Sequence, residues 1–324
     1  MAHDRGDDSI PGRGGRVLVV AGTHGNERNA PWLLQGWQHQ AVRLDGAGLA
    51  VEMVLGNPAA FAANQRYIDR DLNRSFVADR LADPGCREQE ADLARALLAR
   101  HGPSGEQPCL VALDLHSTTA AMGNCLVLYG RRPADLGLAA AIQERLGLPM
   151  YLHEGVPSQT GHLAECWPAG LAIEVGPVAQ GVVQAAIVHQ TRLALEAALA
   201  SLAAARRGTL QLRMPLQVHR HLASLDLPRG ADGCPVAVIH PSRQNRDWQP
   251  ITPGEPLFLT EDGSSIAYTP PAELPGGPVW PLFINEAAYG EKGIALSLTR
   301  RESWQPQRSW REALVRLAAQ LEAA

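Results

Sequence analysis

The sequence predicts an α/β fold: a layered α/β/α domain over residues 1–208, followed by a smaller β-rich domain over residues 209–324. Two observations predict it. From Gly15 to about Gly208, unbroken apolar runs of strand length alternate with segments of helical spacing, the pattern of a sheet covered by helices. After Gly208 the runs become shorter and turn signals separate them, among them "PRGADG", "TPGEP", "EDGS" and "PPAELPGG", as in an all-β segment.

The strands of the first domain are expected at Val17–Ala21, Ala50–Leu55, Leu110–Leu115, Cys125–Tyr129, Met150–His153 and Leu171–Val175. Their apolar residues are continuous, which fits strands buried on both faces. Between them, "REQEADLARALLARHG" and "ADLGLAAAIQERLGL" carry apolar residues three and four apart and end at glycine, so both read as helices with a glycine stop. The alanine-rich stretch between Gly181 and Arg207 reads as one long helix closing the domain. In the second domain "LQLRMPLQVHRHL", "PVAVIH", "PLFLT" and "VWPLFIN" read as strands. A last helix places Trp310, Leu314, Leu317 and Leu321 on one face.

Composition narrows the function. Hydrophobic residues make up 45% of 324, enough for a large core, and the net charge of −4 does not suit a general nucleic-acid binder. Five cysteines (Cys86, Cys109, Cys125, Cys166, Cys234) without CxxC spacing fit a reduced compartment and small buried residues better than disulfides or metal ligands. The polar start "MAHDRGDDSIPGRGG" has no apolar core of a signal peptide, and no apolar run reaches membrane-spanning length. A cytoplasmic protein acting on a small molecule, with no nucleic-acid or membrane partner, is the expectation. Self-association into a homo-oligomer stays open.

The first strand ends in "GTHGNE". A phosphate loop would need a Gly-Lys-Ser/Thr ending or a GxGxxG pattern, and neither is present. His24 and Glu27 instead form an HxxE pair at the carboxyl end of a buried strand, the edge where open α/β sheets place their sites. A second strand runs into "ALDLHSTT", which brings His116 out at the same edge. His24, Glu27 and His116 together make a three-ligand set of the kind a catalytic zinc takes, one ion per chain. Asp114 is placed to hold one of the imidazoles. In "LAIEVGP", Glu174 sits within an otherwise apolar strand, where an ionised carboxylate is costly unless it serves a site. Beside a zinc ion it is the expected general base. The loop "NQRYIDRDLNRSF" concentrates Arg66, Arg70 and Arg74, whose planar forks suit a carboxylate or a developing oxyanion. A small anionic substrate is the expected partner.

GTHGNE, RYIDRDLNRSF, LDLHSTTAAMG, IEVGPVAQGV, HPSRQNRDWQP and FINEAAYGEKG, in that order from about Arg16 to Leu298, resemble the aspartoacylase and succinylglutamate desuccinylase family. That family includes the aminoacylase that deacetylates mercapturates and shares its core with zinc carboxypeptidases. The resemblance implies a zinc carboxypeptidase-like core with the β-rich domain capping the pocket. It also implies a single Zn2+ on His24, Glu27 and His116, with Glu174 as catalytic glutamate. Arg66 matches the residue that polarises the scissile carbonyl. Asn73 and Arg74 match substrate-binding positions, and Tyr289 matches a tyrosine lent by the C-terminal domain. The implied reaction is hydrolysis of an N-acyl amino acid, foremost N-acetyl-L-aspartate to acetate and L-aspartate. Other N-acyl amino acids, aromatic or S-substituted cysteine derivatives included, are the alternative substrates, and a catalytically silent zinc- or carboxylate-binding module is the alternative class. One departure stands out. Aspartoacylases carry a tyrosine and a substrate-binding arginine shortly before the catalytic glutamate, where this chain has Ser158 and His162. Histidine binds a carboxylate by charge only when protonated.

Overall fold

The computed structural model describes residues 14–39, 44–156, 159–274 and 276–324; Ser158 and the N-terminal "MAHDRGDDSIPGR" lie outside them. The first part of the chain supplies β1 (Arg16–Ala21), β2 (Val51–Leu55), β3 (Cys109–Ser117), β4 (Gly123–Tyr129), β5 (Met150–His153) and β6 (Ala169–Gly176). Its helices are α1 (Asn29–Gln38), α2 (Pro58–Ala63), α3 (Ala78–Ala82), α4 (Gln89–His101), α5 (Pro133–Leu146) and α6 (Ala185–Arg206). The later part adds β7 (Leu216–Leu225), β8 (Ala237–Ile239), β9 (Pro256–Thr260), β10 (Ser265–Ala267), β11 (Trp280–Leu282), β12 (Leu296–Trp304) and α7 (Arg308–Ala318). All six expected strands of the first part form, as do both glycine-terminated helices and the long alanine-rich one.

The strands run unbroken in hydrophobicity because successive residues enter two different cores. Val17, Val19 and Ala21 of β1 pack with Leu33 of α1, Leu138 of α5, Leu199 of α6 and Leu314 of α7. Leu18 and Val20, pointing the other way, pack with Phe76, Leu97 of α4 and Trp167. Both sides of the sheet are therefore dry, and alternation with polar residues would have left a polar group in one core. Local chemistry sets the helix ends. Proline occupies the first turn of α5 and Gly147 takes the left-handed conformation at its end. In α4, Glu90 and Asp92 lie in the first turn and Arg100 and His101 in the last, matching the helix dipole at both ends.

The large sheet has nine strands in the order β11-β12-β7-β5-β4-β6-β3-β1-β2, and β8–β10 form a separate three-stranded sheet. β2, β1, β3 and β6 are mutually parallel neighbours, so their carboxyl ends share one edge. β4 runs antiparallel to β6, because the connection from β3 is too short for a crossover. Residue 208 marks a change of sequence pattern but not an edge of the sheet, since β7 pairs in parallel with β5. The terminal helix, grouped by sequence with the β-rich part, lies instead on α5 and α6. Trp310 and Leu314 are buried there, with Leu321 just past its end. Gly137 of α5 allows the approach: a Cβ on it would lie 2.6 Å from the carbonyl oxygen of Trp310. None of the five cysteines is disulfide-bonded; Cys109 and Cys125 are buried as expected, whereas Cys234 is exposed in a polar turn. Among the described residues no helix is long and apolar enough to cross a membrane.

Candidate metal centre and active site

His24 and Glu27 lie in the turn that follows β1, and His116 lies near the end of β3, its neighbour. Two glycines shape the turn. Gly22 has φ +71°, which favours glycine. Gly25 is pressed against α2, so closely that an added Cβ would lie 2.0 Å from the carbonyl carbon of Ala60 and 2.2 Å from the nitrogen of Phe61. His24 Nδ1 stands 2.6 Å from Glu27 Oε1, and His116 Nδ1 stands 3.0 Å from Glu27 Oε2. One ligand atom from each of the three residues falls within 4.8 Å of the others, and all three side chains are buried. Two imidazole nitrogens and a carboxylate, packed this closely and shielded from bulk water, fit a zinc ion.

Each imidazole is held from behind by a carboxylate. His116 Nε2 is 2.7 Å from Asp114 Oδ2, and His24 Nε2 is 3.0 Å from Asp71 Oδ1. Such partners fix which ring nitrogen faces a metal. Asp114 also accepts from Thr23 Oγ1 and Asn73 Nδ2. Burial alone would raise the Glu27 pKa, but His24 and His116 outweigh it and hold that carboxylate ionised. Burial alone would lower the His116 pKa, yet Asp114 and Glu27 carry it well above the usual histidine range.

Asp114 was legible from "LDLH". The Asp71 contact was not, because it sits in a run of alternating charges that reads as a solvated loop. That loop is ordered by Glu90 of α4, whose carboxylate accepts from the backbone nitrogens of Ile68, Asp69 and Arg70 and from Asn57 Nδ2. Asp71 then caps a 3₁₀ turn over Leu72–Arg74. Arg66 donates to Glu27 and Asp71, and its buried Nε has no partner in the protein. Asn73 and Arg74 line the same cavity, whereas Arg70 turns to Glu88.

Glu174 is the direct register neighbour of His116 across β3 and β6, so the two side chains stand beside each other on one face of the sheet. Part of its surface opens on the cavity formed by His24, Arg66, Asn73, Arg74, His116 and Tyr289. Burial pushes its pKa up to about 8, opposed by His116 and reinforced by Glu27 and Glu286.

Tyr289 arrives on a 3₁₀ segment, Ala287–Lys292, that the β-rich part lays over the cavity. Glu286 fastens that segment. Its carboxylate accepts from Thr118 Oγ1, Thr119 Oγ1 and the backbone nitrogens of Thr119 and Ala120, just beyond the His116 strand. Lys292 Nζ donates to Asp71 at 3.3 Å, and Tyr67 donates to Glu291 at 2.8 Å. Neither Glu286 nor Lys292 was singled out by sequence; the signal available was their place in "FINEAAYGEKG". His162 lines the cavity with its ring stacked on Tyr129, centroids 3.8 Å apart, and its Nδ1 3.0 Å from Glu165. Burial holds its pKa down at about 4, so it is a neutral group near pH 7.

Residues 13–202 match the model of the succinylglutamate desuccinylase/aspartoacylase catalytic domain, and residues 214–301 match the AstE/AspA barrel-sandwich hybrid domain. A probable aspartoacylase of Parasynechococcus marenigrum is 57% identical over 301 residues, covering 93% of this chain and 98% of that one. A probable aspartoacylase of Prochlorococcus marinus is 51% identical over 302 residues, with the same coverage. The crystal structure of murine aminoacylase 3 superposes with a TM-score of 0.76 at 34% identity, over 90% of this chain and 97% of that one. The succinylglutamate desuccinylase of Chromobacterium violaceum shares the fold at 17% identity, with a TM-score of 0.57 over 90% and 85% of the two chains. With both halves of the chain matched and the His-Glu-His cluster closed by a segment from the second half, the chain belongs to the succinylglutamate desuccinylase/aspartoacylase family.

Proposed function

We propose that this chain is a zinc-dependent deacylase of small anionic N-acyl amino acids, acting on N-acetyl-L-aspartate to give acetate and L-aspartate. The observation that carries the reading is the pairing of His116 and Glu174 on neighbouring strands, which sets a buried carboxylate beside the His24-Glu27-His116 cluster. Zinc held by these three residues would supply Lewis acidity and lower the pKa of a water molecule at the site.

The protein groups would divide the remaining work. Glu174 takes a proton from the attacking water and returns one to the departing amine, so that the C–N bond breaks with a neutral leaving group. Arg66, anchored by Glu27 and Asp71 and carrying a free Nε, donates to the acyl oxygen as negative charge develops there. Asn73 and Arg74 bind the substrate carboxylate, and Tyr289 closes the cavity over it. The names of the relatives at 57% and 51% identity support aspartate as the amino acid.

The test is a panel of N-acetyl amino acids on zinc-loaded protein, with Glu174→Gln beside wild type. N-Acetyl-L-aspartate is hydrolysed, and the variant keeps its zinc while losing about 10²–10⁴-fold in kcat, the contribution of a general acid–base. Full turnover by the variant refutes the mechanism, and no turnover of any N-acetyl amino acid by wild type refutes the deacylase assignment.

A further inference from the structure

One wall of the cavity takes no part in the chemistry above. It is built from Tyr129 at the end of β4, Tyr151 and His153 on β5, and His162 before β6. Two of its polar atoms are engaged within the protein. The Tyr151 hydroxyl is 2.8 Å from His221 Nδ1, and His162 Nδ1 faces Glu165. His153 differs: the residue is only 8% exposed, and its Nε2 is buried without a partner in the protein. Buried polar atoms are nearly always hydrogen-bonded, and the ring that carries this unpaired nitrogen lines the cavity.

The cations of the site are distributed unevenly. Arg66 spends both terminal nitrogens on Glu27 and Asp71, and Lys292 is bound to Asp71. Arg74 gives one bond, to the carbonyl oxygen of Asn73. Among the described residues lining the cavity, Arg74 is thus the guanidinium with a terminal nitrogen to spare for a carboxylate. The His153 ring offers no second charge, since burial, with His162, His221 and Arg74 nearby, holds its pKa down at about 3. A neutral imidazole nitrogen donates or accepts according to tautomer, so it can meet a carboxylate, a carboxamide or a hydroxyl.

We infer that His153 Nε2 reads the substrate's side chain, and that this subsite takes a short polar side chain whether or not it is charged, accepting asparagine as readily as aspartate. Arg74 holds the single carboxylate that every N-acyl amino acid carries. The inference rests on the deacylase reading and names its substrate class: N-acyl derivatives of small amino acids whose side chains end in a hydrogen-bonding group. A guanidinium in place of His153 would instead discriminate by charge, because an unpaired buried charge costs more than an unpaired neutral group.

The experiment measures kcat/KM of the zinc-loaded full chain on N-acetyl-L-aspartate, N-acetyl-L-asparagine and N-acetyl-L-leucine, the last close to asparagine in shape. In wild type, aspartate and asparagine derivatives fall within about tenfold of each other, and leucine falls below asparagine by about tenfold or more, the effect of leaving one polar atom unpaired. His153→Phe brings the asparagine-to-leucine ratio close to one, while His153→Gln, which keeps a neutral donor and acceptor, preserves it. An aspartate preference above tenfold in wild type overturns the inference, and so does a ratio that survives in His153→Phe. If His153→Phe does not fold, the wild-type ratios still decide. Substrate ratios outside these bounds with intact turnover refute the subsite alone, whereas inert wild type refutes the deacylase reading and this inference with it.

Discussion

Replacing Gly25 with alanine forces a methyl group into the backbone of α2. The new Cβ would lie 2.0 Å from the carbonyl carbon of Ala60, 2.2 Å from the nitrogen of Phe61 and 2.3 Å from the carbonyl oxygen of Ala60. Non-bonded carbon contacts settle at about 3.5–4.0 Å, so more than an ångström of displacement is needed. No flexible side chain can absorb it, since all three atoms are main chain. α2 is also pinned: Asn57 caps its start and is itself held by Glu90. The turn bearing His24 and Glu27 therefore moves. Overpacking of this kind costs about 1–3 kcal/mol of stability. Metal geometry is stricter, because functional groups must be held within about 0.5 Å. We expect Gly25→Ala to weaken zinc binding by at least about tenfold, the lower bound for disturbing the partners of metal-ligating histidines. A chelator-competition titration reads the affinity, and a thermal melt of the metal-free protein reads the stability. Zinc affinity within threefold of wild type, taken as roughly unchanged on the scale of one hydrogen bond, would refute the argument that backbone contact at Gly25 sets the ligand turn.

Three further outcomes follow from the same geometry. Glu286→Ala removes the acceptor of the Thr118 and Thr119 hydroxyls and of the Thr119 and Ala288 backbone nitrogens, so stability falls by about 2–4 kcal/mol; KM rises as Tyr289 and Lys292 lose their seat, and an unchanged KM in a folded variant refutes the latch. The buried histidines His153, His162 and His221 have pKa values held down at about 3, 4 and 4. Below pH of about 6.5 the unfolded chain takes up protons that these folded histidines do not, so their contribution to stability is flat above pH 7 and falls towards pH 4, each contributing up to about 1.4 kcal/mol per pH unit; urea midpoints of wild type and His221→Gln across pH 4–7 check it, the variant showing the shallower acid slope. His162→Arg adds a fixed positive charge to the cavity wall and should raise the N-acetyl-aspartate to N-acetyl-asparagine ratio, measured as kcat/KM; an unchanged ratio places His162 outside the side-chain subsite.

The strands were legible because burial on two faces leaves an uninterrupted apolar signature, as Val17 to Ala21 shows. The ligand cluster was legible because sheet topology brings strand ends together, and "GTHGNE" and "LDLH" each end a strand. Interactions between distant segments left a weaker trace. Asp71 behind His24 looks like one charge among many, and Lys292 lies 221 residues from the aspartate it binds. His153 is the last residue of a four-residue strand, and only its neighbours in space show that its Nε2 is unpaired. The continuity of the sheet across residue 208 was equally hidden, since the pattern of "MPLQVHRHL" specifies a strand but not its partner; here that strand is β7 beside β5.

That continuity bears on how the chain can be divided. β5 is buried along its whole length, held by β4 on one side and β7 on the other. Expressing residues 1–208 alone would strip β7 away and turn β5 into an open sheet edge, a template for pairing with other chains. The same cut would remove α7, uncovering the apolar surfaces of α5 and α6. The boundary between the two matched domains is therefore a poor place to cut, and the isolated catalytic half is expected to aggregate rather than to fold as a smaller enzyme.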